Sequence, residues 1–387
     1  MSVAQQYMQL RTGLSLDTCD PNDPDIISIK NPDGSARRFK INGEIRRLLE
    51  QFYSPSKAID AAERYIEQSS DKQQSTTSVL SFIEQLAGLF IESTDNQLAT
   101  LDAEIANYLQ SIGYKIEKVF KNKPSFAVYK VQEISTGEPG VVRLLKTSGS
   151  KDISLDLARL ELETTIQQKM AKYPEFLATK KIVHSEYPCY LMKYSSAKSL
   201  RKFLTTNQTL SLKARLLISY KLLSAMLNLH REDVIHGDFQ FSNILIDEKD
   251  LSITVIDFGC AMVFGNSTKP ATGAVPHFVA PELANESWVH VVESLPTYES
   301  ESYQLGVMLY YLFYGKMPFR GKVYKELYQA IKSEMPVFPA MTAHEEIIPQ
   351  YVIATIRNLL NKQPGNRQES ARNLHSALGQ DKEVNQC

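Results

Sequence analysis

The segment 234–259, VIHGDFQFSNILIDEKDLSITVIDFG, carries Asp238, then Asn243 five residues later, and Asp257 after two short apolar runs, ILI at 244–246 and ITVI at 253–256. Phosphoryl transfer asks little covalent help of a protein. It needs a positioned hydroxyl, positioned phosphates and neutralised charge. In such chemistry Asp238 orients the hydroxyl and Asn243 offers an amide oxygen to a metal on the same loop. Asp257 adds a second hard oxygen ligand, the type Mg²⁺ takes. Turn-forming Asp and Asn in a β-hairpin account for any one of these residues, but not for HxD(x4)N followed by DFG.

The chain around this segment has 387 residues, enough for two or more domains. Its 43% hydrophobic and 22% charged content is that of a soluble globular protein. A net charge of −1 leaves no basic excess to neutralise nucleic-acid phosphates, so no nucleic-acid partner is expected. Cys19, Cys189, Cys260 and Cys387 are scattered without a CxxC pair, as free thiols in a reducing compartment would be. The N-terminal MSVAQQYMQLRTGL lacks a basic stretch followed by an apolar one, and no apolar run reaches the ~18 residues of a membrane span. These features predict a cytoplasmic protein without a membrane partner.

The elements that must position the site begin with a polar stretch at 1–23, expected to be a loose tail. Residues 24–95 then form a compact pattern. IISIKN and SARRFKI flank the turn Asn31-Pro32-Asp33-Gly34, which predicts a hairpin at 26–41. Three helices follow: one with Ile45, Leu48, Leu49 and Phe52 on one face, one opened by Ser54 and Pro55, and one with Val79, Phe82, Ile83 and Leu86 on a stripe. This unit has the size of a winged-helix domain. The polar stretch 92–100 is the expected linker, and residues 96–380 change to a few β-like runs followed by many helices, an α+β pattern. Within them Leu216, Tyr220, Leu223 and Leu227 form an amphipathic stripe just before the HGD segment.

On these motifs the region 104–380 resembles the eukaryotic-type protein kinase family. HGDFQFSN is similar to its catalytic loop and DFG at 257–259 to its metal-binding motif. VAPE, ending at Glu282, resembles the end of an activation segment, and Arg367 in NRQES stands where a late arginine of the family pairs with that glutamate. SYQLGVMLYYLFYGKMPF resembles the long buried helix, and Glu301 takes the place of the family aspartate that opens this helix and ties down the catalytic loop. The resemblance implies a two-lobed fold, with the N-lobe at about 104–193 and the C-lobe at about 194–380. It also implies ATP and Mg²⁺, with Asp238 as catalytic base and Asn243 and Asp257 as metal ligands. YLMKYSSAKSL at 190–200 resembles the hinge, with Met192 at the back of the nucleotide pocket.

The family's strand lysine falls in VVRLLK. Alternation puts Val142, Leu144 and Lys146 on one face and Arg143 on the other, so Lys146 is preferred while Arg143 stays open. Its helical partner lies in ARLELETTIQQKM, with Glu163 preferred to Glu161. The turn KNKPS lacks the family's glycines, and Lys121 and Lys123 either supply charge there or are solvated turn residues. Gln240, Val275 and Gly237 replace the lysine, threonine and arginine of usual Ser/Thr members. These departures suggest activity that does not wait for activation-loop phosphorylation.

Residues 25–92 resemble the PqqD-like winged-helix domain that binds leader peptides of ribosomally made, modified peptides, through DIISIKNPDGSARRFKI, INGEIRRLLEQF and VLSFIEQLAGLFIE. The resemblance implies recruitment of a peptide substrate by β-augmentation. A DNA-reading winged helix is the rival, but TTSVLSFIEQLAGLF contains no Lys or Arg. The whole chain is thus expected to be a protein or peptide kinase acting on Ser or Thr, with a small-molecule kinase of the aminoglycoside-phosphotransferase type and a non-catalytic nucleotide-binding scaffold as alternatives.

Overall fold

The computed structural model describes residues 103–381 except 123–124, 148–149, 151, 184–186, 208, 267–274, 285–294, 322–323, 343 and 366. Before residue 103 it describes 7–10, 14–15, 26–30, 36–40, 43–51, 56–68, 76, 79–80, 83, 86 and 91–93. The chain divides into two units, Met1–Lys151 with Val183–Cys189, and Asp152–Ile182 with Tyr190–Cys387. The boundary drawn from the sequence between residues 95 and 96 lies inside the first unit.

The first unit contains β1 (Tyr7–Leu10), β2 (Leu14–Ser15), β3 (Ile26–Lys30), β4 (Ala36–Lys40), α1 (Gly43–Glu50), β5 (Ser56–Lys57), α2 (Ala58–Gln68), β6 (Ile91–Ser93), α3 (Ala103–Ser111), β7 (Tyr114–Asn122), β8 (Phe126–Glu133) and β9 (Pro139–Leu145). β3 and β4 pair antiparallel from Ile26↔Lys40 to Lys30↔Ala36, the register of the expected hairpin. Its turn residues lie outside the described residues, as do Phe52, Ser54, Pro55, Phe82 and Lys123.

Two differences from the sequence reading are visible. Within 1–23, expected as a loose tail, β2 pairs with β3 and β1 lies between β5 and β6. The second helix starts at Ala58 rather than near Pro55, because Ser56 and Lys57 pair with Met8 and Tyr7. Leu48, Leu49, Ala61, Ala62, Tyr65, Val79, Ile83 and Leu86 are buried, as an amphipathic pattern requires. Farther along, β7, β8 and β9 form antiparallel pairs. The buried face of β8 (Ala127, Tyr129, Val131) alternates with half-buried residues, and Val142 and Leu144 of β9 are buried likewise.

The second unit is built on α4 (Ile153–Met170), β10 (Thr179–Val183), β11 (Cys189–Lys193), β12 (Lys198–Ser199), α5 (Leu200–Thr206), α6 (Leu212–Arg231), β13 (Val234–Ile235), β14 (Ile244–Ile246), β15 (Ile253–Val255), β16 (Met262–Val263), α7 (Tyr298–Tyr314), α8 (Tyr324–Ser333), α9 (Gln350–Leu359) and α10 (Arg367–Gln380). α7 is buried nearly all round, so it is a core helix rather than a surface one. A Thr297–Ser300 capping box starts it and Gly315, at φ +64°, ends it. Gly306 lets α9 approach closely, since a Cβ there would lie 2.7 Å from the Leu359 Cβ. Leu216 and Leu223 of the α6 stripe are buried in the same core, with Tyr220 and Leu227 packed at its margin. Among the described residues no helix is long and apolar enough to cross a membrane.

Candidate active site

Two antiparallel pairs hold the site loops. β14 pairs with β15 from Ile244↔Val255 to Ile246↔Ile253, so Asn243 and Asp257 lie at the same end of one ribbon. β13 pairs with β16, Val234 opposite Val263, which ties the strand before His236 to the chain just after DFG.

The loop between β13 and β14 is fastened from below by α7. Glu301 and Gln304 lie one turn apart and therefore share a face. Glu301 Oε1 accepts the main-chain N–H groups of His236 (2.7 Å) and Gly237 (3.0 Å), while Oε2 pairs with His230 Nε2 at 2.8 Å. Gln304 Oε1 accepts the Phe239 N–H at 2.9 Å, and its amide donates to the Gly237 carbonyl at 3.4 Å. His236 is fully buried. The Asp238 N–H points at its Nδ1 (3.3 Å), which must then be an acceptor, so Nε2 carries the proton donated to the Ile256 carbonyl at 3.1 Å. The imidazole thus joins the loop of Asp238 to the strand leading into Asp257. His236 is the histidine of the HGD motif, but its bonds, like His230 and Gln304, were not singled out from the sequence. For Gln304 the sequence signal is the Glu-x-x-Gln spacing at the start of a helix.

Gly237 sits at φ +78°, and a Cβ there would lie 2.3 Å from the Cys260 carbonyl oxygen. The loop and the chain after DFG therefore approach too closely for any side chain at 237.

Asp238 has an asymmetric carboxylate. Oδ2 accepts from the amides of Asn243 (2.7 Å) and Gln240 (3.3 Å), while Oδ1 is buried without a hydrogen-bond partner among the described residues. Burial pushes this carboxyl above its ordinary value and nearby Asp257 adds to the rise, against the pull of His236, Gln240 and Asn243. Asn243 also donates to the Asp238 carbonyl at 2.9 Å. With its nitrogen fixed by two acceptors, the amide has its oxygen left to hold a metal. Asp257, in the left-handed conformation at φ 67°, supplies a carboxylate. An amide oxygen and a carboxylate are the hard donors that suit Mg²⁺.

Of the other expected site residues, Glu163 is buried on α4 and Met192 is half-buried on β11, both in the second unit. Lys146 belongs to the first unit. It directly follows β9, and its Nζ donates to Asn122 Oδ1 at the end of β7 (2.5 Å). Arg143 lies instead over the Phe126 ring, 4.4 Å from its centroid.

At the far end of the activation segment, fully buried Arg367 holds Glu282 by two bonds, Nη1–Oε1 at 2.7 Å and Nη2–Oε2 at 3.1 Å. It also donates to the carbonyls of Asn361 and Glu299. This is the pairing expected from the resemblance.

Comparison with known proteins agrees with these motifs. Serine/threonine-protein kinase PrkC of Bacillus subtilis is 26% identical over 269 residues, 68% of this chain and 40% of that protein. A probable serine/threonine-protein kinase PLK of Dictyostelium discoideum is 33% identical over 150 residues, 38% of this chain and 14% of that protein. NUAK family SNF1-like kinase 1 of Mus musculus is 24% identical over 222 residues, 57% of this chain and 32% of that protein. The chain thus spans well under half the length of these relatives. The protein kinase domain model matches residues 125–378, about two thirds of the chain, and the chain belongs to the protein kinase domain family.

Proposed function

We propose that this chain transfers the γ-phosphoryl group of ATP to a Ser or Thr hydroxyl of a protein or peptide. The observation that carries the reading is the asymmetric Asp238: Oδ2 is held by two amides, and Oδ1 is buried and, among the described residues, unpartnered. A substrate hydroxyl would supply the missing hydrogen bond and be oriented for attack. Asn243 and Asp257 would hold Mg²⁺, which when bound neutralises charge on the phosphates. Lys146 would bind phosphate oxygens, Glu163 would be the acidic residue that α4 brings to nucleotide use, and Met192 would line the adenine pocket. Two of the named relatives, those of Bacillus subtilis and Dictyostelium discoideum, are named as serine/threonine-protein kinases, which supports that acceptor class. The Arg367–Glu282 pair supports a protein kinase over a small-molecule kinase.

Activity independent of activation-segment phosphorylation is part of the same proposal. Gly237 leaves no arginine to read a phosphate, and the β13–β16 pairing together with the Phe264 N–H bond to the Asp233 carbonyl (3.1 Å) anchors the start of the segment. The N-terminal residues would recruit the substrate, a precursor leader peptide, by strand addition. Among the described residues β4 is the open edge of the hairpin, whereas β3 is paired on both sides, with the two-residue β2 at the other edge of the sheet.

The test is incubation of the full chain with labelled ATP and Mg²⁺ against proteins, peptides with and without a leader segment, and small alcohols. Label on Ser or Thr of a peptide, greater when the leader is attached, is the expected result. Label only on small alcohols would overturn the protein-kinase reading, and leader-independent labelling would overturn recruitment alone.

A further inference from the structure

Tyr190 lies on β11, two residues before Met192, and is 1% exposed. Its hydroxyl donates to Glu163 Oε2 at 2.9 Å and accepts from the Gln167 amide at 3.2 Å. Glu163 and Gln167 are one turn apart on α4, each 3% exposed. A phenol has one proton, and a carboxylate can only accept it, so the direction of both bonds is fixed. Among the described residues the Gln167 carbonyl oxygen has no hydrogen-bond partner, while its amide is bonded to Tyr190.

We infer that Tyr190 is a positioning residue for Glu163, setting the carboxylate and helix α4 in their working place from within the second unit, before nucleotide arrives. A carboxylate buried this deeply requires donors. The buried face of α4 mixes Leu160, Ile166 and Met170 with Glu163, Thr164 and Gln167, so apolar packing alone does not specify its rotation. Phenylalanine at 190 would fill the same space and remove the hydroxyl's bond to each of these two polar groups of α4. A helix carrying its own internal latch needs no external activator to seat it. The inference rests on the role proposed above for Glu163.

Two measurements test it. The first compares kcat/KM for ATP in Tyr190→Phe, Glu163→Gln and the double variant. Loss of a hydrogen bond to a charged group predicts a fall of about tenfold for Tyr190→Phe, with no further loss when it is added to Glu163→Gln. If Tyr190→Phe stays near wild type while Glu163→Gln falls, or if the two losses multiply, the latch is overturned and the Glu163 role stands. An unaffected Glu163→Gln overturns both. The second measurement needs no variant: amide hydrogen exchange of residues 160–170 in the wild-type chain should be slow without nucleotide and little changed by Mg²⁺–ATP. Protection that appears only with nucleotide would overturn the inference.

Discussion

The carboxylate of Glu301 and the main chain of His236 meet at 2.7 Å, and the same Oε1 takes the Gly237 N–H, so one side chain from the central helix fixes the two residues before Asp238. Its second oxygen is occupied by His230, itself bonded to Gln368 at 3.3 Å. Glu301→Ala would leave two buried N–H groups and an imidazole without their acceptor. We expect a loss of about 3 kcal/mol in stability, together with a fall in kcat larger than any rise in KM. Glu301→Gln keeps an acceptor oxygen for the two N–H groups and should retain more of both. Chemical denaturation and steady-state kinetics on the three proteins check this. Equal behaviour of the Ala and Gln variants would contradict it.

Gly237 admits no side chain, because the Cys260 carbonyl occupies the place of its Cβ and its φ is positive. Gly237→Ala should therefore shift the loop and reduce phosphoryl transfer by about 100-fold or more, since misplacement of a reacting group by about 1 Å carries that penalty. Gly306→Ala, which presses on Leu359 in the core, should lower thermal stability with a smaller effect on kcat. A fully active Gly237→Ala would remove the close approach from the account.

Lys146 and Arg143 separate cleanly. The Lys146 amine reaches Asn122, whereas the Arg143 guanidinium is engaged over Phe126 on the other face of the strand. Lys146→Ala should weaken ATP use far more than Arg143→Ala in a kinase assay. The reverse ranking would move the phosphate contact to Arg143.

How much of this was legible in the sequence depends on the range of the contact. HGDFQFSN and DFG announced Asp238, Asn243 and Asp257 because the residues share a local ribbon. The 26–41 hairpin was legible from a turn between two alternating runs. Glu301 and the Arg367–Glu282 pair were reached only through resemblance, since their partners are 65 and 85 residues away. Tyr190, His230 and Gln304 were not reached. Each lies in a buried apolar setting where its type suggests core packing, and its partner is set by tertiary structure. The strands within 1–23 were missed for the same reason, as their partners lie at 28–29, 56–57 and 91–93.

Lys362 offers a pH test of the packing beside Arg367. Burial pushes its ammonium down to about 8, Arg367 adding to the fall, although its Nζ donates to the Ile331 carbonyl and lies over Phe319. With a folded value near 8 and an ordinary value of 10.5, the unfolded chain binds more protons between them, so this group's contribution to stability rises with pH across that window. Stability relative to Lys362→Met should shift in favour of wild type between about pH 8 and 10.5. A pH-independent difference between the two proteins would show that the lysine is not held down.

The most direct test of the central claim is phosphoryl transfer by Asp238→Ala, measured with labelled ATP beside calorimetry of Mg²⁺–ATP binding. If Asp238 orients the acceptor as proposed, its removal should abolish transfer and leave nucleotide affinity within about threefold of wild type. Retention of more than about a tenth of wild-type turnover, with binding unchanged, would contradict the assignment of Asp238 as the catalytic carboxylate.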